Sequence, residues 1–296
     1  MLRFHPGELE RFAGLTLAAR TVAEGFLSGV HRSPFKGLSV EFAEHRAYTP
    51  GDEIDRIDWR MWGRTDRLFV REFHEETNRR AWLVLDTSAS MGYTGRAESS
   101  RLEYAKLLTA SLAWLLLHQR DSVGLITHDT KPRSVLPTRT ASRHLLRMLK
   151  VLDDAKPGGE TSLGSVWQEV AAKYTRTRSM IYLVSDGLDR SEELIRGLQQ
   201  FRHRRHEVMF LQLLSPDELD FPFTGVSRFR SLESPTDSVE VDAGRLKSQY
   251  QQKVAEHLAK LRGACHALGA GYRLVRTDRP VTATIASLFA SARVSQ

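Results

Sequence analysis

From residue 80 onward, the chain alternates between short runs of apolar and β-branched residues and longer segments in which apolar residues recur every third or fourth position. The first pattern is typical of buried strands, and the second is typical of helices with one apolar face. The predicted strands are 81–86, 122–129, 133–137, 179–186, 207–214 and 272–278. The predicted helices are 101–119, 140–153, 162–175, 191–204, 245–268 and a last one that begins at about residue 281.

Strands that alternate with helices predict a sheet whose strands are mostly parallel, because each helix carries the chain back across the sheet. The strands are apolar along most of their length, which favours a sheet covered on both faces. We therefore predict a doubly wound, Rossmann-like α/β fold. The strand at 133–137 is expected to pair with 122–129 across a short turn, and the segments 227–234 and 237–242 are predicted to form a hairpin.

The first 79 residues follow a different pattern. Residues 7–30 predict one or two amphipathic helices, and the segments 38–49 and 67–76 alternate like strands around the turn-forming sequence TPGDE. No linker rich in Gly, Ser or Pro divides the rest of the chain. The sequence therefore predicts an N-terminal mixed α/β elaboration over residues 1–79 and one larger domain over residues 80–296.

Composition and charge favour a globular protein without a nucleic-acid-binding surface. The chain has 296 residues and 41% hydrophobic residues, which is enough for a sizeable core. Its net charge of +7 is a mild excess that lies on segments which also carry acids. Such a distribution is typical of a solvated surface rather than a nucleic-acid groove, so no nucleic-acid partner is expected.

The longest apolar run and the single cysteine bear on location. The run 108–117 is too short to cross a bilayer, and the start of the sequence lacks the pattern of a secretory signal. Cys265 alone excludes an internal disulfide and a multi-cysteine zinc site, and we expect it to be a small buried residue. A reducing compartment is compatible with this usage, so a cytoplasmic protein without a membrane span is expected.

Polar side chains gather where three apolar segments meet loops. Asp86, Ser88 and Ser90 close the first predicted strand in the sequence DTSAS, and Thr161 lies in GGETS at a predicted helix start. Asp186, the aspartate of SDG, ends the fourth predicted strand. Ligands of open parallel sheets bind at the carboxyl ends of the strands. Two carboxylates and three hydroxyls are hard donors suited to a magnesium-sized cation that keeps its positive charge and several waters. The sequence therefore predicts a metal site that can bind an acidic group of a partner.

These three motifs together resemble the metal-ion-dependent adhesion site of von Willebrand factor A domains, and all five positions are matched. The resemblance implies that the hydroxyls of Ser88, Ser90 and Thr161 contact the ion. It implies that Asp86 and Asp186 act directly or through water, and that a carboxylate of a protein partner fills an open coordination position. The expected ion is Mg²⁺, with Mn²⁺ or Ca²⁺ as alternatives.

A longer stretch of sequence before the first predicted strand points to a more specific family. The block YTPGDEIDRIDWRMWGRTDRLFVREFHEETN at 48–78, with YRLVRTD at 272–278, is similar to the bacterial family DUF58. Many members have membrane-spanning segments before this block, and the sequence here shows none. The family is associated with MoxR-type AAA+ ATPases. The resemblance therefore implies a non-catalytic adaptor that works with such an ATPase, or its client, in protein remodelling, complex assembly or metal insertion.

Simpler interpretations compete at several positions. Helix capping explains one member of the DTSAS motif but not three spaced residues. Ser162 is adjacent to Thr161 and could serve as the cap or the ligand, and Asp189 lies three residues after Asp186. Asp186 is preferred because it directly follows the apolar strand.

Two other functions remain open. One is a metal-dependent phosphoryl or acyl transferase with Asp86 as nucleophile, although a second carboxylate is missing at Ser88. The other is a scaffold with a vestigial metal site. The sequence has no GxSxG, HExxH or GxxxxGK[ST] motif, so hydrolysis by those chemistries is not predicted.

The block at 48–78 also carries aromatic residues beside arginines. Trp59, Trp62 and Phe69 could anchor an interface, but packing onto the sheet domain is the preferred interpretation.

Overall fold

The computed structural model describes residues 13–32, 45–47, 62–63, 65, 68–71, 79–234 and 236–291. The chain divides into two compact units. One comprises Met1–Leu27 and Arg79–Gln296, and the other comprises Ser28–Asn78, which lies within the predicted N-terminal elaboration.

The described part of the smaller unit contains a short antiparallel pair of strands, β1 (His45–Ala47) and β2 (Phe69–Arg71). Both lie inside the segments predicted to be strands. Trp62 is 45% exposed. Trp59 and the TPGDE turn lie outside the described residues.

Helix α1 (Ala13–Arg32) begins the described chain. The larger unit then contains strands β3 (Arg80–Asp86), β4 (Ser122–His128), β5 (Pro132–Arg139), β6 (Met180–Ser185), β7 (Glu207–Leu214), β8 (Val226–Arg230), β9 (Ser238–Asp242) and β10 (Gly271–Arg276). Its helices are α2 (Arg101–His118), α3 (Ser142–Asp154), α4 (Leu163–Lys173), α5 (Ser191–His203), α6 (Pro216–Asp220), α7 (Ala243–Ala267) and α8 (Val281–Ser291). A short 3₁₀ helix lies at Ala89–Gly92.

Six strands form one sheet in the order β10-β7-β6-β3-β4-β5, and β8 and β9 form a separate hairpin. All neighbours in the large sheet are parallel except β5, which runs antiparallel to β4. The predicted doubly wound, mostly parallel sheet and its hairpins are therefore confirmed. The chain builds the sheet outward from β3 in one direction and from β6 in the other, so the order of strands reverses between β3 and β6.

Two apolar cores cover the two faces of the sheet. Successive residues of β3 point to opposite faces, so Leu83 and Leu85 join one core while Trp82 and Val84 join the other. Helices α1, α2, α3 and α8 pack on the first face, and α4, α5 and α7 pack on the second. Burial on both faces explains why the strands are apolar almost throughout.

Helix α2 lies deep in the first core. Its sequence contains the apolar run 108–117, and most of its residues are buried on every side. Within the described parts of the chain, no helix is long and apolar enough to cross a membrane. The thiol of Cys265 is buried in α7, and this burial raises its pKa to about 11. A thiol of this kind is an unreactive core residue, as predicted.

Candidate functional site

The candidate residues lie where the strand order reverses. Strand β3 ends at Asp86 and its neighbour β6 ends at Ser185, just before Asp186, with Leu85 paired to Val184. Reversal of the strand order opens a crevice at the carboxyl ends of the two strands, which is the usual ligand position in open α/β sheets. Both carboxylates are fully buried there.

The side chain of Asp86 is held by neutral groups. Its Oδ1 accepts a hydrogen bond from the Ser88 backbone N–H at 2.9 Å, and its Oδ2 accepts one from the Ser185 hydroxyl at 2.7 Å. Burial, followed by the nearby charge of Asp186, raises the pKa of Asp86 to about 7 although both hydrogen bonds oppose this. A positive charge close to a carboxylate in this setting would stabilise its ionised form.

Two hydroxyls lie together immediately after Asp86. Ser88 is buried and precedes the 3₁₀ helix, while Ser90 lies within that helix and is half-buried. Their Oγ atoms are 3.1 Å apart. Ser88 has an extended backbone at the N-cap (φ −58°, ψ 164°), and from there its hydroxyl meets that of Ser90 in the first turn of the 3₁₀ helix, so the DxSxS spacing produces a pair of adjacent oxygen donors.

The loop that carries Thr161 is joined to this turn through the backbone. Gly158 donates to the Thr87 carbonyl at 3.0 Å, and Ala89 donates to the Gly159 carbonyl at 3.0 Å. Gly159 has a φ of 75°, and a Cβ there would lie 2.9 Å from the Asp129 carboxylate, so glycine is required. Thr161 itself is half-buried, and its hydroxyl donates a hydrogen bond to Glu233 at the tip of the β8–β9 hairpin.

The two alternative residues have contacts of their own. Asp189 accepts a hydrogen bond from the Leu163 backbone N–H at 2.9 Å and so caps the start of α4. The Ser162 hydroxyl lies 2.6 Å from the Ser165 hydroxyl, on the exposed start of the same helix. These contacts account for Asp189 structurally and leave Asp186 as the candidate beside Asp86.

Asp186 is paired with a buried arginine that sequence reasoning missed. The guanidinium of Arg101 binds both Asp186 and Glu218, and its side chain is 1% exposed. Burial lowers the pKa of Arg101, but the charges and hydrogen bonds of the two carboxylates raise it to above its ordinary value, so the side chain stays charged. Asp186 also accepts from the Leu188 backbone N–H at 3.2 Å.

The charges at this edge of the sheet do not balance. The buried guanidinium of Arg101 binds two carboxylates, those of Asp186 and Glu218, while the Asp86 carboxyl group nearby is held by Ser88 and Ser185. Among the described residues, no group of three or more His, Cys, Asp or Glu forms a metal cluster. A cation at this edge would therefore depend on two carboxylates and neighbouring hydroxyls, which is a donor set for a hard ion such as Mg²⁺ rather than for a zinc-like metal.

Three further residues touch the candidates and were not predicted. Ser185 binds Asp86, Arg101 binds Asp186 and Glu233 binds Thr161. Arg101 left a faint signal in the sequence, because Ser100 and Glu103 form a capping box that makes it the first residue of α2. A cation at that position opposes the helix dipole and so needs a local reason.

Two relatives with similar sequences are described as uncharacterized proteins, so they indicate no activity for this chain. The chain is 28% identical over 283 residues to the uncharacterized protein Rv1480 of Mycobacterium tuberculosis, a match that covers 94% of this chain and 88% of that protein. It is 26% identical over 110 residues to the uncharacterized protein YeaD of Bacillus subtilis, covering 37% of this chain and 25% of that protein.

Solved structures resemble this fold at low identity. The conserved hypothetical protein BatB from Bacteroides thetaiotaomicron matches with a TM-score of 0.43 and 16% identity, over 72% of this chain and 98% of that one. A von Willebrand factor type A protein from Catenulispora acidiphila matches with a TM-score of 0.44 and 12% identity, over 71% and 41%. Because the profile described as "Protein of unknown function DUF58" matches residues 44–260, this chain belongs to the DUF58 family.

Proposed function

We propose that this protein is a non-catalytic adaptor that binds Mg²⁺ at the carboxyl edge of its sheet and holds an acidic residue of a protein partner through that ion. The proposed ligands are Asp86, Ser88, Ser90, Thr161 and Asp186. The observation that carries the proposal is the pair of buried carboxylates at the ends of β3 and β6, of which Asp186 binds a guanidinium while Asp86 binds neutral donors.

The chemistry of the donor set supports this ion. A buried carboxylate with neutral neighbours is costly to keep ionised, and a nearby cation removes that cost. When bound, Mg²⁺ would supply a positive charge with an open position for an external carboxylate. The adjacent Ser88 and Ser90 hydroxyls offer oxygen atoms without adding negative charge.

Burial of Asp86 counts against its use as a catalytic nucleophile. Its side chain is inaccessible to solvent and both of its oxygens accept hydrogen bonds. A nucleophile for phosphoryl or acyl transfer needs an oxygen that a substrate can approach. The transferase alternative is therefore the weaker candidate.

Membership of DUF58 and the resemblance noted from the sequence support a MoxR-type AAA+ ATPase, or its client, as the partner. We propose that the adaptor and its partner work together in the cytoplasm, in protein remodelling, complex assembly or metal insertion. Binding to the ATPase is expected in Mg²⁺ and is expected to be lost in EDTA.

The metal is tested by titrating Mn²⁺ into the whole chain and following free Mn²⁺ by electron paramagnetic resonance, with Mg²⁺ as competitor. We expect one saturable site in the wild type and its loss in the Ser88→Ala, Ser90→Ala variant. The matched variant Ser162→Ala, Ser165→Ala removes another pair of touching hydroxyls and is expected to bind like the wild type.

Two results would contradict parts of this proposal. Equal Mn²⁺ binding by the wild type and the Ser88, Ser90 variant, or no saturable site in the millimolar range, would remove the metal. Loss of binding in the Ser162, Ser165 variant alone would transfer the ligand role from Thr161 to Ser162.

A further inference from the structure

The β8–β9 hairpin stands apart from the six-stranded sheet. Its strands are largely exposed, with Val226 73% and Val239 62% exposed. Packing anchors the hairpin at Phe229, whose ring centroid lies 5.2 Å from Phe223 and 5.9 Å from Phe221. The hairpin is therefore an arm with an aromatic anchor on one strand.

The tip of this arm reaches the candidate site. Two contacts shape the tip: the Ser231 backbone N–H donates to the Asp237 carbonyl at 2.9 Å, and the Ser234 N–H donates to the Ser231 hydroxyl at 3.0 Å. Between these residues, Glu233 accepts a hydrogen bond from the hydroxyl of Thr161. A carboxylate of the hairpin is thus placed on one of the five proposed metal ligands.

The chemistry of this contact matches that of the proposed partner. The adaptor is proposed to receive an external carboxylate at its metal, and Glu233 is a carboxylate already present at the same edge. Two carboxylates cannot occupy one small site without strong mutual repulsion. The Thr161 hydroxyl donates a hydrogen bond to Glu233, so its lone pairs stay available to an ion.

We propose that Glu233 takes the place of the partner's acidic residue within this chain. The hairpin tip then occupies the open coordination position that the partner's carboxylate would fill, and it must move away before that carboxylate binds. This inference rests on the proposed function. Release of the tip breaks the contact with Thr161 and leaves the Phe229 anchor in place, so the arm can open without unfolding the domain.

The experiment measures acetate, as a simple carboxylate, binding to the Mn²⁺-saturated whole chain by water-proton relaxation. Three proteins are compared: the wild type, Glu233→Ala and Glu240→Ala. Glu240 is the matched control because it is an exposed carboxylate on the same hairpin, 3.2 Å from Arg228. If Glu233 fills the coordination position about nine-tenths of the time, acetate can bind to only about one-tenth of the molecules, and its apparent affinity is about tenfold weaker. The Glu233→Ala variant is therefore expected to bind acetate about tenfold more tightly than the other two proteins.

The outcomes separate this inference from the proposed function. Equal acetate affinity in all three proteins, with Mn²⁺ bound, overturns the inference alone. Weaker acetate binding by Glu233→Ala also overturns it, because that result would mean that Glu233 only positions Thr161. Absence of Mn²⁺ binding in all three proteins overturns the proposed function and the inference with it.

Discussion

Asp86 and Asp186 occupy equivalent places yet have opposite surroundings. Asp86 ends β3 and Asp186 directly follows β6, the two central strands of the sheet, and each side chain is fully buried. Asp186 binds the buried guanidinium of Arg101, while Asp86 is held by a backbone N–H and a serine hydroxyl. Buried charges persist in proteins where a counter-charge is present. The comparison teaches that the fold supplies its own cation to one carboxylate and only neutral hydrogen-bond donors to the other.

The largest effect is expected from Arg101→Met. This change leaves the buried Asp186 carboxylate without its cation, and loss of one member of a buried pair costs about 3 to 5 kcal/mol. Urea unfolding, monitored by circular dichroism, measures the change in the free energy of unfolding. The control is Arg178→Met, whose ion pair with Glu207 is exposed and is expected to contribute at most about 1 kcal/mol. Equal losses in the two variants would show that the buried Arg101 pair contributes no more to stability than an exposed ion pair and would contradict the prediction.

A second pair of variants separates the two carboxylates directly. In EDTA at about pH 8, Asp86→Asn is expected to raise the free energy of unfolding by about 1 to 3 kcal/mol, because a neutral amide replaces a buried charge that has no cationic partner. Asp186→Asn is expected to lower it by about 2 to 3 kcal/mol, because Arg101 loses a counter-charge. Chemical denaturation of both proteins tests the two signs. A loss of stability in both variants would break the comparison.

The third expected effect appears only at low pH and concerns His128, which lies across from Asp86 in the strand pairing. Burial lowers the pKa of His128 to about 4. Its folded pKa lies below its unfolded pKa, so the domain loses stability as the pH falls from about 6.5 to about 4, by about 3 kcal/mol from this group. His128→Gln is expected to reduce this slope, and the exposed control His118→Gln is expected to keep it. Unfolding free energies measured across that range, with identical slopes in all three proteins, would contradict the prediction.

Most of the fold was accessible from the sequence because burial left a local pattern. The predicted strand 81–86 corresponds to Arg80–Asp86, and the predicted helix 162–175 corresponds to Leu163–Lys173. The short helix α6 was missed, because its signal is a capping box of Ser215 and Glu218 without any apolar repeat.

The site was less accessible for a physical reason. Strand ends can be read from the sequence, so Asp86 and Asp186 were expected at one edge. Arg101 meets Asp186 across 85 positions of sequence and Glu233 meets Thr161 across 72. Contacts of that kind arise from tertiary packing and leave no periodic signal.

The two ends of the larger unit share one core, and this has a consequence for how the protein is made. Phe26 of α1 packs against Phe289 of α8, with ring centroids 5.2 Å apart. These residues are separated by nearly the whole described chain, so their contact has the high sequence separation that slows folding. Helix α1 leaves the ribosome long before α8 is synthesised. The apolar face of α1 therefore lacks its packing partner on α8 until almost the whole domain has been synthesised.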